Sequence, residues 1–548
     1  MAQNPERDHA GHANLGGGKR AIFILVLLVL PALAVCFGWQ LRKASGPYWL
    51  SGNMDPTYAY LMNSLNLADL RRPYFFGHPG TPVHEVGAVV IRVMNFGSSK
   101  AEMTHDVLRD PERYIAAINS VLMGLCGICI LIAGCVTLEV TGSLFAALLI
   151  EVTPFVSGTT LTGLTLARPE PFMTGVAMLV AAAAALTLRW KVERHPRWFA
   201  IAFGLLIGIG IAGKVDFAPV AMVPLIILPS WKNRLWFMLA TGAAFLVAII
   251  PILSPPLMRE MIAFMINLAT HTGRYGSGQT GFIDPSSYVS AAIKLVRDDG
   301  LFFIVMAVGI LVLALKSRFQ SLAGAKRRIL IAVTAAQLLQ LLMVAKHPSS
   351  RYLIPALALV GLNLVLLVDA FAAKMPAASR YAPAVLISLM IAGAQFWTGR
   401  NLLREAQNDR RFQFAAYEAV NKQFPNVPVV TYYTASSPYY ALAFGEEYGG
   451  NLYGADLQKL YPNQFFYSPW TGEFSNFAGQ VSVDQIRGTS NWFVLRGCSL
   501  SDPDFKAFLP QKPLPDNVFV EPISGTDVDH PGLLDCEALY KATVKPAP

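Results

Sequence analysis

Charge is scarce in this chain. Of its 548 residues only 14% are Asp, Glu, Lys or Arg, where an ordinary soluble domain carries about 25%. With 54% of residues hydrophobic, a water-soluble globule is excluded. The formal net charge of +9 does not point to nucleic acid, because the basic residues are scattered through short loops between apolar runs, as retention of cations on the cytoplasmic side produces. Cysteine is also sparse, at six residues. Cys36, Cys126, Cys129 and Cys135 lie in or beside apolar runs, where cysteine behaves as a small hydrophobe. Cys126-x-x-Cys129 has no further ligands around it for a metal or redox centre. There is no H-E-x-x-H motif, since Ala88 stands where the second histidine would be. No internal repeat is evident, which weighs against a transporter of the inverted-repeat type. The run 21–39 lacks a small-residue cleavage site, and Val35 spoils a lipoprotein box before Cys36, so this run reads as an uncleaved first membrane helix.

What is present is a succession of apolar runs. At roughly 17–25 residues per span, about eleven membrane helices are expected, near 21–39, 113–137, 142–161, 171–188, 198–213, 217–229, 235–253, 301–315, 329–345, 351–369 and 382–398. The two shorter runs around Lys214 and Asp216 read as a broken or tilted pair. Residues 1–20 are expected to be a disordered cytoplasmic tail. The basic clusters at Lys19-Arg20, Arg189–Arg197 and Lys326–Arg328 then mark the cytoplasmic side. Outer-face loops fall at 40–112 and 254–300, within a membrane domain spanning 21–399. Residues 400–548 change character: an amphipathic helix around 401–423 is followed by strand-like runs at 427–433, 491–497 and 517–521, separated by Gly- and Pro-rich turns. A small extracytoplasmic α/β domain is expected there. Cys498 and Cys536 are the two cysteines of this polar region, and outside the cytoplasm they would form a disulfide.

Candidate chemistry concentrates in the outer turns. The stretch 48–86 is too polar to cross a bilayer and carries Asp55, with Tyr58, Leu61 and Leu65 at helical spacing, then His78, His84 and Glu85 around HPGTP. Asp55-Pro56 is also an ordinary helix start, an N-cap followed by proline at the first helical position. Capping and catalysis are compatible, since one carboxylate oxygen can accept an amide while the other faces a substrate. ARPEPF brings Arg168 and Glu170 to the same face, GKVDFAP brings Lys214 and Asp216, and KHPSSRY brings Lys346, His347, Arg351 and Tyr352. Each has a plainer reading. Arg168 and Glu170 can be a solvated turn, Lys214 and Asp216 a simple pair, and Arg351-Tyr352 an interfacial anchor. The convergence of several turns on one side carries more weight than any one of them. Residues 271–288, rich in Gly, Ser and Thr, read as a cover over such a site.

Taken together, the acid opening the first long outer loop, the His-Pro that follows, ARPEPF, GIGIAGKVDFAPVAMVP and HPSSRYLIPAL resemble the integral-membrane glycosyltransferases of the GT-C class. The branches in view are the protein mannosyltransferase-like and lipid A aminoarabinose transferase-like ones. The resemblance covers about residues 20–400, with R-Y-x-x-P its most specific element, and YYTASSPYYALAFG resembles the appended extracytoplasmic domain. It implies a GT-C-like α-helical polytopic fold with a small C-terminal α/β domain, in a bacterial cytoplasmic membrane. It also implies transfer, with inversion, of a sugar from a polyprenyl-phosphate donor to an extracytoplasmic acceptor. Asp55 would be the base, and Glu170 would orient the acceptor, share that role or hold a divalent cation with Asp55. Arg351 and Tyr352, helped by Lys214, Lys346 and His347, would hold the donor phosphate. His78, His84, Glu85 and Arg168 are further substrate-binding candidates. The family's usual second Asp is Glu170 here, and a doubled acidic pair is absent from the first loop, which bears on metal dependence. The competing readings are transfer of another lipid-linked group, or transport of a lipid-linked intermediate. Charges placed at helix ends rather than mid-span favour an interfacial enzyme.

Overall fold

The structure is a computed structural model. It describes residues 17–544 except 78, 191, 271–284, 316, 346–347, 374, 377–381, 434, 470, 488–491, 499–513, 516 and 524–536. The chain is predominantly helical, with a small sheet near its C-terminus, as the composition implied. Among the described residues five helices are long and apolar enough to cross a membrane. They are α1 (Ala21–Ala44), Pro111–Thr141, Pro169–Trp190, Pro196–Gly213 and Ala325–Val344. A sixth candidate is Ser350–Leu357 followed by Val360–Ala372, bent by 48°. The run at 142–161, expected as one span, is broken into Leu144–Glu151, a 3-10 turn at Thr153–Val156 and a short helix at Gly158–Gly163. Pro154 and Gly158 interrupt it, since neither residue type sustains a helix interior.

After α1 the chain leaves the apolar layer and forms α2 (Ser51–Ala68) and the amphipathic α3 (Thr81–Met94). The α4 helix (Pro111–Thr141) returns, and its first turn presents Glu112. Glu112 accepts the amides of Tyr48 (2.8 Å) and Trp49 (3.1 Å) and the hydroxyl of Tyr58 (2.8 Å), which pins the entry to α2. An acid also suits the positive end of a helix. Next come α5 (Gly158–Gly163), α6 (Pro169–Trp190), α7 (Pro196–Gly213) and α8 (Trp231–Ala248). The glycines of GLLIGIGIAG let α7 and α8 approach closely: a Cβ on Gly208 would stand 2.5 Å from the Thr241 carbonyl oxygen. Then follow α9 (Pro285–Ala314), broken at Asp299 (φ −131°, ψ 41°), α10 (Ala325–Val344) and α11 (Val360–Ala372). The apolar faces of α4, α6, α7, α9, α10 and α11 share one continuous core.

One 42-residue helix, α12 (Ala382–Gln423), runs without a break from the apolar run at 382–398 through the amphipathic stretch after it. Beyond it lies a seven-stranded sheet of order β4-β3-β2-β1-β5-β7-β6. Its strands are β1 (Val429–Thr431), β2 (Phe465–Ser468), β3 (Glu473–Asn476), β4 (Gly479–Gln480), β5 (Trp492–Cys498), β6 (Val518–Pro522) and β7 (Glu537–Val544). β1 pairs in parallel with both β2 and β5, and the outer pairs are antiparallel. Cys498, at the end of β5, is disulfide-bonded; Cys536 lies outside the described residues.

The helix α13 (Pro438–Tyr448), between β1 and β2, docks on α2. Gly445 makes this possible, since a Cβ there would fall 2.8 Å from the Tyr58 carbonyl oxygen. Buried Asn63 donates to the Tyr448 carbonyl (3.0 Å), Asn66 donates to that of Gly449 (2.9 Å), and the Ser51 amide donates to Ser436 Oγ (3.0 Å). Residues between α1 and α4 and the C-terminal region therefore share one core.

Candidate active site

Asp55 lies at the break in α2, where its own φ −93° and ψ 122° and the following cis proline interrupt the helix. The extended conformation is that of an N-cap, but the capping hydrogen bond is not made. Among the described residues the Asp55 carboxylate accepts no hydrogen bond and joins no ion pair. It is open to solvent yet ringed by protein. Burial therefore raises its pKa above the ordinary carboxylate value, opposed by the positive fields of Arg351 and Arg168. The capping reading of Asp55 thus lacks its defining contact, and the group is left available.

Glu170 is arranged in the opposite way. It opens α6, buried, with one oxygen 3.0 Å from Lys214 Nζ and the other 3.3 Å from Arg168 Nε. Lys214, in the extended residue that ends α7, also lies 3.4 Å from Asp216. Its Nζ stands 4.6 Å from the centre of the Tyr352 ring. Arg351 packs against the other side of the arrangement, 5.1 Å from the same ring, and donates to the Tyr352 hydroxyl (3.3 Å). Gln340 of α10 closes the set by donating to the backbone carbonyls of both Asp216 (2.8 Å) and Tyr352 (2.7 Å). The start of α6, the end of α7 and two 3-10 turns (Val215–Ala221 and Ser350–Leu353) thus bring Arg168, Glu170, Lys214, Asp216, Arg351 and Tyr352 together, with Asp55 in electrostatic reach of Arg168 and Arg351. Lys346, His347 and His78 lie outside the described residues, as does most of the expected cover at 271–288, including Asp284.

His84 is walled in by its own loop. It is fully enclosed, with its ring 4.9 Å from Tyr60 and 6.4 Å from Phe75, and neither nitrogen has a partner. Burial pushes its pKa down to about 3, so it is neutral. The imidazole packs the loop against Tyr60 and Phe75. Glu85, its neighbour, is exposed and lies on an apolar groove of about 760 Å³ running between α3, α4, α7 and α8. Pro82, Val86, Val89, Leu125, Phe172 and Val247 are among the residues lining it. Phe172, which lines the groove, is two residues beyond Glu170 on α6. Arg168 lines a smaller polar pocket of about 280 Å³, between the start of α2 and α12.

Sequence reasoning passed over Tyr60. Its ring is clamped by His84 and Phe75, and its hydroxyl feels Glu170, Asp216, Arg168 and Asp55; burial, then the nearby carboxylates, push its pKa well up. It hid because Tyr58, two residues earlier, fits the helical period equally well. Among the described residues no three His, Cys, Asp or Glu side chains converge as a metal site. A divalent cation at Glu170 would have to displace Lys214 or Arg168, so the pair Asp55 and Glu170 does not fit one.

No known family and no curated protein matches the sequence. Among solved structures, the chain is similar to ArnT from Cupriavidus metallidurans bound to undecaprenyl phosphate. The identity is 12% over 96% of this chain and 98% of that one, with a TM-score of 0.45. It is similar to the apo state of the same protein with a TM-score of 0.44 and the same identity and coverage. It is also similar to the Archaeoglobus fulgidus oligosaccharyltransferase tethered with an acceptor peptide, at 13% identity over 76% of this chain and a TM-score of 0.44. The chain spans 63% of that oligosaccharyltransferase.

Proposed function

We propose that this chain is a GT-C-class transferase of the bacterial cytoplasmic membrane, moving a sugar from a polyprenyl-phosphate donor to a hydroxyl-bearing acceptor on the outer face. The observation that carries the reading is the unpaired Asp55 carboxylate, lying in the positive fields of Arg351 and Arg168, in a protein that also carries an apolar groove. An apolar groove and a set of fixed cations in one protein suit a ligand with a long hydrocarbon chain and an anionic head. The oxygen-rich leaving group of a lipid-linked sugar has that form.

In this reading Asp55 takes the proton of the acceptor hydroxyl as that oxygen attacks the anomeric carbon. The bond from that carbon to the phosphate oxygen breaks, and polyprenyl phosphate leaves with its electron pair. One displacement inverts the anomeric centre. Arg351 meets the charge that grows on the phosphate, and the Tyr352 hydroxyl, already hydrogen-bonded to it, shares the contact. Lys214 acts from behind Tyr352. Glu170, held between Lys214 and Arg168, orients these cations and is a poor proton acceptor. Residues 1–20, 21–399 and 400–548 serve as cytoplasmic tail, catalytic membrane domain and outer domain, with Cys498 and Cys536 as the outer disulfide.

The test is release of polyprenyl phosphate by the purified protein from a panel of polyprenyl-phosphate sugars in the presence of acceptor lipids and glycans. Asp55→Asn should lower turnover by about 10²–10⁴ while donor binding stays near wild type. Binding of the donors without any release, in a protein that moves them across vesicles, would replace the enzyme reading with transport.

A further inference from the structure

Two of the site's cations, Arg351 and Arg168, sit in short stretches between the longer helices. Arg351 belongs to a single 3-10 turn (Ser350–Leu353) with no side-chain cap of its own. Arg168 lies in the link between α5, a six-residue helix capped by Ser157, and the start of α6. A four-residue 3-10 turn has little intrinsic stability in water, so the placement of Arg351 has to come from elsewhere. The break in α9 supplies it. There Asp299 leaves the helical conformation and is buried, 2% exposed. Its carboxylate accepts the hydroxyl of Ser157, the cap of α5, and that of Thr159 (3.4 Å). Ser350, immediately before Arg351, donates to the adjacent Asp298 (3.0 Å), and the same hydroxyl faces Asp299. One pair of carboxylates therefore collects the hydroxyl that begins the Arg351 turn and the one that begins α5, whose link to α6 carries Arg168.

We infer that Asp299, together with Asp298, is the positioning element that sets Arg351 relative to Arg168, through Ser350 on one side and Ser157 on the other. The inference rests on the donor-phosphate role given to Arg351 above. Asp298 and Asp299 touch no substrate and act only through the turns they hold. A charged acceptor makes the stronger hydrogen bond, and a buried carboxylate at a helix break gathers several donors at once. This explains an acidic pair at the point where an apolar helix begins.

The test uses the full chain in detergent with two readouts. The first is the rate of phenylglyoxal modification of Arg351, followed by mass spectrometry, which reports the placement of the turn whether or not any lipid binds. The second is the affinity for undecaprenyl phosphate. Ser350→Ala removes the link from the exposed side and leaves the buried carboxylate in place, guarding against a misfolded Asp299→Asn. Both variants should change the modification rate severalfold and weaken lipid binding roughly tenfold, the scale of a lost charge-assisted hydrogen bond. In an Arg351→Ala background, Ser350→Ala should have no further effect on lipid binding. Modification at the wild-type rate in both variants, or an equal loss of binding with and without Arg351, overturns the inference. A changed modification rate in a protein whose wild type ignores undecaprenyl phosphate would uphold the link and overturn the phosphate role of Arg351.

Discussion

Asp55 and Glu170 are two carboxylates beside the same cluster, each next to a proline near a helix start, and they are held in contrasting ways. Glu170 is buried and gives an oxygen to each of two cations. Asp55 is open to solvent, and no hydrogen bond or ion pair engages it among the described residues. A carboxylate committed to two cations has little basicity to offer, whereas one surrounded by protein and unpaired gains basicity from burial. The difference separates an anchor from a candidate base.

The comparison can be broken most sharply through stability. Glu170→Gln strands Arg168 and leaves buried Lys214 with Asp216 as its remaining ionic partner, and breaking a buried pair typically costs about 3–5 kcal/mol. Unfolding of the detergent-purified protein should therefore show a large loss for Glu170→Gln and almost none for Asp55→Asn. Equal losses would erase the distinction.

A smaller effect tests whether the C-terminal region supports α2. Gly445→Val drives a side chain into the Tyr58 backbone, an overpacking of about 1–3 kcal/mol. It should lower turnover together with stability, because the helix that carries Asp55 is displaced. A variant destabilised to that extent with unaltered turnover would show α13 to be a passive neighbour.

The smallest effect is the pH dependence of stability at Asp55. Its folded pKa is raised, so ionising it costs the native state more than the unfolded chain. That penalty is fully present above the folded pKa and disappears below the ordinary carboxylate value. Asp55→Asn should accordingly be at least as stable as wild type near neutral pH, and the difference should fade on acidification. An advantage that grows on acidification would reverse the assigned sign.

Much of the architecture was legible because apolar runs report burial in a membrane directly. Strands β1, β5 and β6 stood out as β-branched and aromatic runs bounded by turns. β2 through β4 did not, since QFFYSPWTGEFSNFAGQ mixes strand and turn residues within a few positions, and charges interrupt the apolar pattern of β7. Gly399-Arg400 looked like a boundary, yet α12 crosses it, because one glycine costs a long helix only about 1 kcal/mol. Within the site, the gathering of Asp55, Arg168, Glu170, Lys214, Arg351 and Tyr352 followed from their places in successive outer turns. Which carboxylate stays free did not, since it depends on the side-chain reach of Lys214 and Arg168 across three helices. The enclosure of His84 was likewise hidden, because HPGTPVHEV is polar in composition while Tyr60 and Phe75 close over the ring only in three dimensions. The acidic pair at 298–299 sat at the edge of an expected loop, and nothing in its spacing pointed to Ser157 or Ser350.

The most direct test of the central claim is the rate of polyprenyl phosphate release as a function of pH, across about pH 4–8, for wild type and for Asp55→Asn. A base must be ionised to act, so the wild-type rate should fall on acidification through an apparent pKa above the ordinary Asp value, the direction in which burial moves Asp55. The Asp55→Asn rate should be low and flat across the same range. An acid limb that survives unchanged in Asp55→Asn would assign the proton transfer to another group and contradict the account.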